Sequence, residues 1–449
     1  MPFPPGFAWG AATSSYQIEG APNADGKGPS IWDAFAHEPG RIANGDTGDV
    51  ACDHYHRWAE DVDLMAACGL NAYRFSASWP RVQPEGRGAP NPAGIGFYDR
   101  LVDRLLERGI RPALTLNHWD IPQAVQDDGG WRTRDTTERF ADYAAVMYEA
   151  LGDRVTWWIT HNEPWVVAAL GHRLGIHAPG IRDTEAELRV AHHLLLSHGL
   201  AVAAHRASGV RGEVGITLNM LPTYPQSETD ADRRAAVLSD GYTNRWYLDP
   251  VLRGAYPADL LAYFGERFAL DWIADGDLER VAQPIDFLGV NYYARRVVRA
   301  PRPGEEAEFA WVVSTETTTG IPTSDLGWEM TPAVLTGLLL HLTDAYGRPQ
   351  LLITENGCAL DDVIEPDGAV HDPRRIEFMR THLAATEAAI DRGADIRGYF
   401  AWSLLDNFEW AEGYGPRFGI VYVDYPTQRR IPKDSARWYA DVIRRNGLP

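Results

Sequence analysis

From end to end the chain alternates short apolar runs with longer amphipathic segments, and that alternation restricts it to βα units wound around a parallel sheet. Apolar runs near 7–12, 70–76, 111–117, 155–161, 213–218, 285–291, 351–354 and 396–401 predict eight strands. Stretches of helical period are predicted at 57–68, 97–109, 136–151, 185–207, 230–246, 331–346, 374–392 and 434–445. In the first of these Trp58, Val62, Met65 and Ala66 share one face, and Gly69 supplies the stop. Eight such units without a Pro/Gly/Ser linker predict a single (β/α)8 TIM barrel spanning 1–449, with extended loops at the C-terminal face. A doubly wound open sheet would need a break in the alternation, and the sequence has none. The irregular stretches 19–50, 167–184 and 299–328 are expected to be loops shaping a pocket on that face.

Acidic residues outnumber basic ones by 62 to 42, giving a formal charge of −20 with no cationic cluster. Nucleic acid and anionic membranes are therefore not expected partners. Lys27 and Lys433 are the only lysines among the cations, a bias that carries no functional reading by itself. Cys52, Cys68 and Cys358 are widely spaced and form no CxxC pair, so they read as reduced small hydrophobes. The segment Met1-Pro-Phe-Pro-Pro-Gly-Phe7 lacks a basic region followed by an apolar run, and no stretch nears the roughly 18 apolar residues of a membrane span. The expectation is a soluble, cytoplasmic protein of undetermined oligomeric state.

Two of the apolar runs finish on a carboxylate. Val155-Thr-Trp-Trp-Ile-Thr-His-Asn-Glu-Pro-Trp165 ends in Glu163, where Pro164 is expected to stop the extended run by withholding an amide; Gln350-Leu-Leu-Ile-Thr-Glu-Asn-Gly357 ends in Glu355. In a barrel, residues just past each strand converge on one face. Those residues are Gln17 and Glu19, Arg74, His118-Trp119-Asp120, Asn162-Glu163, Asn291-Tyr292-Tyr293, Glu355-Asn356, Trp402, Asp406, Glu409 and Trp410. Two facing carboxylates can cleave an acetal by dividing the work between a proton donor and an anion. Burial and a neighbouring negative charge would keep one glutamate protonated, while Arg74 and a tyrosine hydroxyl would hold the other ionised. Indoles pack on the C–H face of a sugar ring, and amides, imidazole and carboxylates bind its hydroxyls. Trp157 and Trp158 lie inside their strand and read as core. His54, His56, His192 and His193 lack ligand spacing with a carboxylate or Cys, so no metal is expected. No phosphate-cradling or nucleophile-elbow motif is present, and no cofactor is expected.

Along nearly its whole length the chain resembles the glycoside hydrolase family 1 β-glucosidases. Four segments carry the resemblance: Phe7–Gly20, Thr160-His-Asn-Glu-Pro164, Ile353-Thr-Glu-Asn-Gly357 and Trp402–Asp424. It implies a retaining mechanism, with Glu163 as acid/base and Glu355 as nucleophile. A sugar subsite of Gln17, His118, Asn162, Glu409 and Trp410 follows, with Trp402 as platform. Asn291 and Tyr293 match positions supporting the 2-hydroxyl and the nucleophile, and Trp119, Trp328 and Phe418 match positions lining the pocket. The implied substrate is a small-molecule β-glycoside, with glucosides and short cello-oligosaccharides first and galactosides and fucosides as further candidates. Glu409 argues against a 6-phosphorylated sugar, because a carboxylate would repel the phosphate. Transglycosylation, a non-catalytic sugar-binding barrel and a metal-dependent barrel hydrolase are the competing readings. His161 and Cys358 depart from the residues expected beside these motifs, usually an apolar and a small residue respectively.

Overall fold

Eight parallel strands close on themselves in sequence order: β1 (Ala8–Ala12), β2 (Ala72–Ser76), β3 (Arg111–Asn117), β4 (Trp157–Asn162), β5 (Glu213–Asn219), β6 (Phe287–Asn291), β7 (Leu351–Asn356) and β8 (Ile396–Trp402), with β8 pairing back onto β1. The computed structural model describes residues 3–316 and 318–449; Met1 and Pro2 of the N-terminal segment, and Thr317 within the 299–328 stretch, lie outside the described residues.

The barrel helices are α1 (His54–Ala67), α2 (Pro92–Glu107), α3 (Asp135–Leu151), α4 (Thr184–Ser208), α5 (Asp230–Asp240), α6 (Pro332–Ala345), α7 (Pro373–Asp391) and α8 (Asp434–Arg445). Their ends are written locally. Asp183 caps α4 by accepting from the Glu185 and Ala186 amides at 2.9 and 3.1 Å, and Gly209 ends it at φ 70°, a conformation that favours glycine. The Asn91 side chain caps α2 just before Pro92, which starts that helix five residues earlier than its apolar period indicates. Beyond α5 the predicted helix is broken by one wide turn at Gly241–Arg245 and resumes over Trp246–Arg253.

Two layers of apolar side chains hold the fold. Inside the barrel, small residues on one side (Ala8, Ala12, Ala72, Ala113) face large ones on the other (Trp157, Phe287, Leu352, Phe400), so the interior is filled rather than hollow. Trp158 faces the other way, into the larger core between strands and helices. Burying a large apolar side chain contributes about 1.5–3 kcal/mol, and both tryptophans belong to packing, as their position within the strand implies.

The insertions fall where expected. The 19–50 stretch holds a short capped helix (Ile31–Ala36), 167–184 opens with a helical turn (Val166–Arg173), and part of 299–328 joins a small three-stranded sheet of Thr223–Pro225, Arg296–Arg299 and Val312–Val313. A concavity of about 500 Å³ lies at the opposite, N-terminal mouth beneath Trp157, lined by Arg111, Arg154, Arg211 and Glu213 among others, and holds none of the candidate site residues.

Candidate active site

Both glutamate-bearing strands lose regular register at their outlets. The β4–β5 pairing shifts between Ile159 and Asn162, and β7 shifts against both neighbours beyond Ile353. Such irregularities re-aim side chains at a strand end. At β4 the turn is made by Glu163 itself, whose φ of 49° lies in the left-handed region, while its amide still donates to Thr217 O at 2.9 Å. The strand therefore stops at Glu163, one residue before Pro164, and Pro164 instead opens the following helical segment. Trp119 (φ 77°) and Trp410 (φ 51°) share this uncommon backbone conformation. Sterically disfavoured backbone at three residues of one cleft shows that surrounding contacts dictate their aim.

At β7 the decisive feature is a close approach. A Cβ on Gly357 would sit 1.8 Å from Trp402 O, so glycine alone lets the β7 and β8 outlets meet. Asn356 locks the same junction, donating to Tyr292 O at 2.6 Å and accepting from Tyr399 OH at 2.7 Å.

The two glutamates belong to one buried network. Glu355 accepts from Arg74 Nη1 at 2.5 Å and from Tyr293 OH at 2.6 Å. Arg74, fully buried, also donates to Asn162 Oδ1 at 2.7 Å. Asn162 Oδ1 accepts in addition from Asn291 Nδ2 at 3.0 Å, and the same Nδ2 donates to Glu163 Oε1 at 2.6 Å. Thr354 Oγ1 fixes the Asn291 amide by donating to its Oδ1 at 2.8 Å.

Their electrostatics differ. Burial, then the charge of Glu355, raises the Glu163 pKa far above the ordinary carboxylate range, against the hydrogen bond from Asn291. Burial lifts Glu355 as well, and Arg74 and Tyr293 oppose that rise by favouring its anion. Glu163 has one neutral amide donor where Glu355 has a guanidinium and a phenol, so an anion is better supported at Glu355 than at Glu163.

The other predicted residues gather around this pair. His118 Nε2 accepts from Asn162 Nδ2 at 3.1 Å, leaving Nδ1 as an N–H with no partner among the described residues. Burial and Arg74 push its pKa down, so the ring is neutral. Glu409 is half-buried, its Oε2 is buried and unpartnered among the described residues, and loss of solvent, then Glu355, raises its pKa to about 8. Beside the indoles of one cleft, these free polar atoms can take the hydroxyls of a polar ligand. Gln17 donates to Asn407 Oδ1 and Phe408 O, both at 2.9 Å, and accepts from Ser14 Oγ at 2.6 Å, so it presents chiefly a carbonyl lone pair. Trp119 donates its indole N–H to Asn162 O at 2.8 Å and packs 4.5 Å from Trp410. Trp402 and Trp410 each lie parallel to the His118 ring, at 5.9 and 6.0 Å. Tyr293, Trp328 and Phe418 form a rim, with centroid distances of 5.5 and 6.1 Å from Trp328 to its two neighbours; Trp328 is 39% exposed.

Three strand-end carboxylates do not join the cleft. Glu19 pairs with Arg81, Asp120 accepts from Ser15 Oγ, and Asp406 is bound by Lys433 and Arg417. Conversely, the Trp32 and His177 rings lie beside Trp410, at centroid distances of 4.5 and 6.3 Å, without having been singled out by the sequence, because they come from two of the three insertions, whose path no local pattern reveals. Among the described residues no group of three His, Cys, Asp or Glu side chains is placed to hold a metal ion.

His161, the variable residue of the Thr-x-Asn-Glu-Pro motif, faces away from the cleft. Asn117 Nδ2 lies 3.0 Å from its Nδ1, and its Nε2 lies 2.8 Å from Ser197 Oγ. Because Ser197 donates its own proton to Leu194 O, His161 carries its hydrogen on Nε2. It stacks on Phe140 at 4.4 Å and ties β4 to β3 and α4.

A buried, unequal carboxylate pair on the C-terminal face of a (β/α)8 barrel, ringed by indoles and unpaired polar atoms, defines a carbohydrate-processing site of the glycoside hydrolase class. The glycosyl hydrolase family 1 model matches residues 1–448. Beta-glucosidase A of Acetivibrio thermocellus is 49% identical over 446 residues, 99% of each chain. A bifunctional beta-D-glucosidase/beta-D-fucosidase of Bifidobacterium breve is 46% identical over 99% of this chain and 98% of its own. The solved structure of the family 1 β-glucosidase from Thermotoga maritima superposes with a TM-score of 0.96 at 47% identity, covering 100% and 99% of the two chains. The chain belongs to glycosyl hydrolase family 1.

Proposed function

We propose that the protein is a retaining β-glucosidase that removes terminal non-reducing glucosyl residues from β-glucosides and short cello-oligosaccharides. Glu355 attacks the anomeric carbon while Glu163 protonates the departing oxygen; Glu163 then takes a proton from water, which releases the sugar from the covalent glycosyl-enzyme. One observation carries this division of labour: two buried carboxylates share a network through Asn162 and Asn291, yet Glu355 holds the cationic and phenolic donors and Glu163 only an amide. Arg74 and Tyr293 favour the anion needed for attack, and burial keeps the proton on Glu163 for donation. His118 Nδ1 and Glu409 Oε2 supply a free donor and acceptor for sugar hydroxyls above the Trp402 and Trp410 rings. Fucosides also fit this reading, since the Bifidobacterium breve relative is a bifunctional glucosidase/fucosidase, and so do galactosides, since the Thermotoga maritima relative is solved in complex with galacto-hydroximolactam. Three unpaired buried cysteines support action in the reducing cytoplasm.

NMR of an aryl β-glucoside reaction tests the proposal, with β-glucose expected first; early α-glucose overturns retention. Glu355→Ala should abolish hydrolysis, with azide restoring turnover as an α-glycosyl azide. Undiminished hydrolysis by that variant rejects Glu355 as nucleophile.

A further inference from the structure

Lysine is almost absent from this chain, and both lysines are held in ion pairs. Lys27 is 5% exposed against Asp33, and Lys433, directly before α8, is fully buried. Arginine serves every other lysine-or-arginine position, and at Lys433 the interior cation is a compact ammonium rather than a planar fork.

Lys433 Nζ binds one carboxylate from each of two loops: Asp362 Oδ2 at 2.5 Å, in the loop leaving β7, and Asp406 Oδ1 at 2.8 Å, in the loop leaving β8. The first loop starts at the outlet of Glu355. The second carries Glu409, Trp410 and Phe418. Asp406 is fully buried and also accepts from the Gly419 amide at 2.9 Å and from Arg417 at 2.7 Å. Asp362 is shared with Arg375, which itself holds Asp372 at 3.0 Å and the Phe418 carbonyl at 3.4 Å. Three cations thus face three aspartates, and Lys433 is the member bonded to both loops through carboxylates alone. None of these six side chains reaches Glu163, Glu355 or Glu409 by a direct bond.

We propose that Lys433 is a positioning residue which holds the sugar-recognising loop 403–418 in register with the nucleophile's loop, so that Glu409 and Trp410 meet the glycone while Glu355 attacks it. The proposal rests on the β-glucosidase reading. Replacing Lys433 by Met keeps the length and removes the charge, leaving Asp362 and Asp406 without their common partner and freeing the two loops to separate.

The decisive experiment is a double-mutant cycle on an aryl β-glucoside. Lys433→Met should lower kcat/KM by about 10- to 100-fold, the scale of one lost hydrogen bond to a charged group, mainly through KM. Because Lys433 acts through the Glu409 loop, adding Lys433→Met to Glu409→Gln should cost far less than it does alone. Losses that multiply independently, or wild-type kinetics in Lys433→Met, overturn the proposal. If Lys433→Met does not fold, Asp362→Asn removes the charge on the β7 side and carries the same cycle. A crystal structure of the variant supplies an arm independent of activity: displacement of 406–418 supports the role, and an unmoved loop refutes it. Wild-type protein inactive on every aryl β-glycoside would reject the β-glucosidase reading instead, and the loop displacement would still decide whether Lys433 sets the register.

Discussion

Glu163 and Glu355 are the same residue type at the ends of two strands of one barrel, and their neighbours make them chemically different. With Glu163 as the proposed proton donor, its raised pKa places the loss of activity on the alkaline side: turnover should persist as pH rises past the ordinary carboxylate range and fall only as Glu163 ionises. The charge of Glu355 is the second cause of that shift, after burial. In Glu355→Gln, direct titration of Glu163 by carbon NMR should therefore show a lower pKa than in the wild type; an unchanged or higher value would contradict the coupling. His161 belongs to the same scale but to stability. His161→Leu strands the Asn117 amide in the core, at about 1–3 kcal/mol for an unsatisfied buried group, which a urea titration would register as a lower midpoint.

At the scale of elements, the site depends on how β4, β7 and β8 end. The outlets of β4 and β7 are irregular, and the β7–β8 junction closes only because Gly357 has no side chain beneath Trp402 O. Gly357→Ala should force the two outlets apart, destabilising the fold by roughly 1–3 kcal/mol or more as overpacking does and lowering kcat/KM by moving Glu355 and Trp402 together. A variant with wild-type kinetics and melting temperature would show that the junction yields without consequence. The neighbouring Cys358 is buried, with Arg375 bonded to its carbonyl; it packs where a small residue is usual and takes no part in the cleft.

Across the whole molecule, an unusual number of histidines are buried without charge. His118, His161, His172, His177, His192, His193, His198, His205 and His382 all have pKa values pushed down, with loss of solvent the largest cause in each. In the unfolded chain these rings titrate near 6.5. As pH falls below that value the unfolded state binds protons that the folded state refuses, so stability declines toward acid by up to about 1.4 kcal/mol per histidine per pH unit. Chemical denaturation between pH 7 and 5 should show a steep loss of the unfolding midpoint, and a flat profile would contradict the neutral buried rings. No helix among the described residues is long and apolar enough to cross a membrane.

The order and number of the strands were legible in the sequence because burial on both faces of a parallel sheet demands near-continuous apolar runs, and helix faces repeat on their own period. The two glutamates were legible because a carboxylate closing such a run is chemically out of place. Boundaries were less so: α2 starts at a cap rather than at its first apolar residue, and β4 ends on the left-handed turn of Glu163 rather than on Pro164. What keeps the remaining strand-end carboxylates out of the cleft was not legible in any local pattern. Glu19, Asp120 and Asp406 occupy equivalent positions to the eye of sequence, and only their partners across the fold, Arg81, Ser15 and Lys433, draw them away. The sequence by itself determined the barrel and the pair of acids, since both follow from local polarity and period. Only the tertiary structure shows what makes the two acids unequal, because desolvation and hydrogen bonds from Arg74, Tyr293 and Asn291 arrive from strands far apart in the chain.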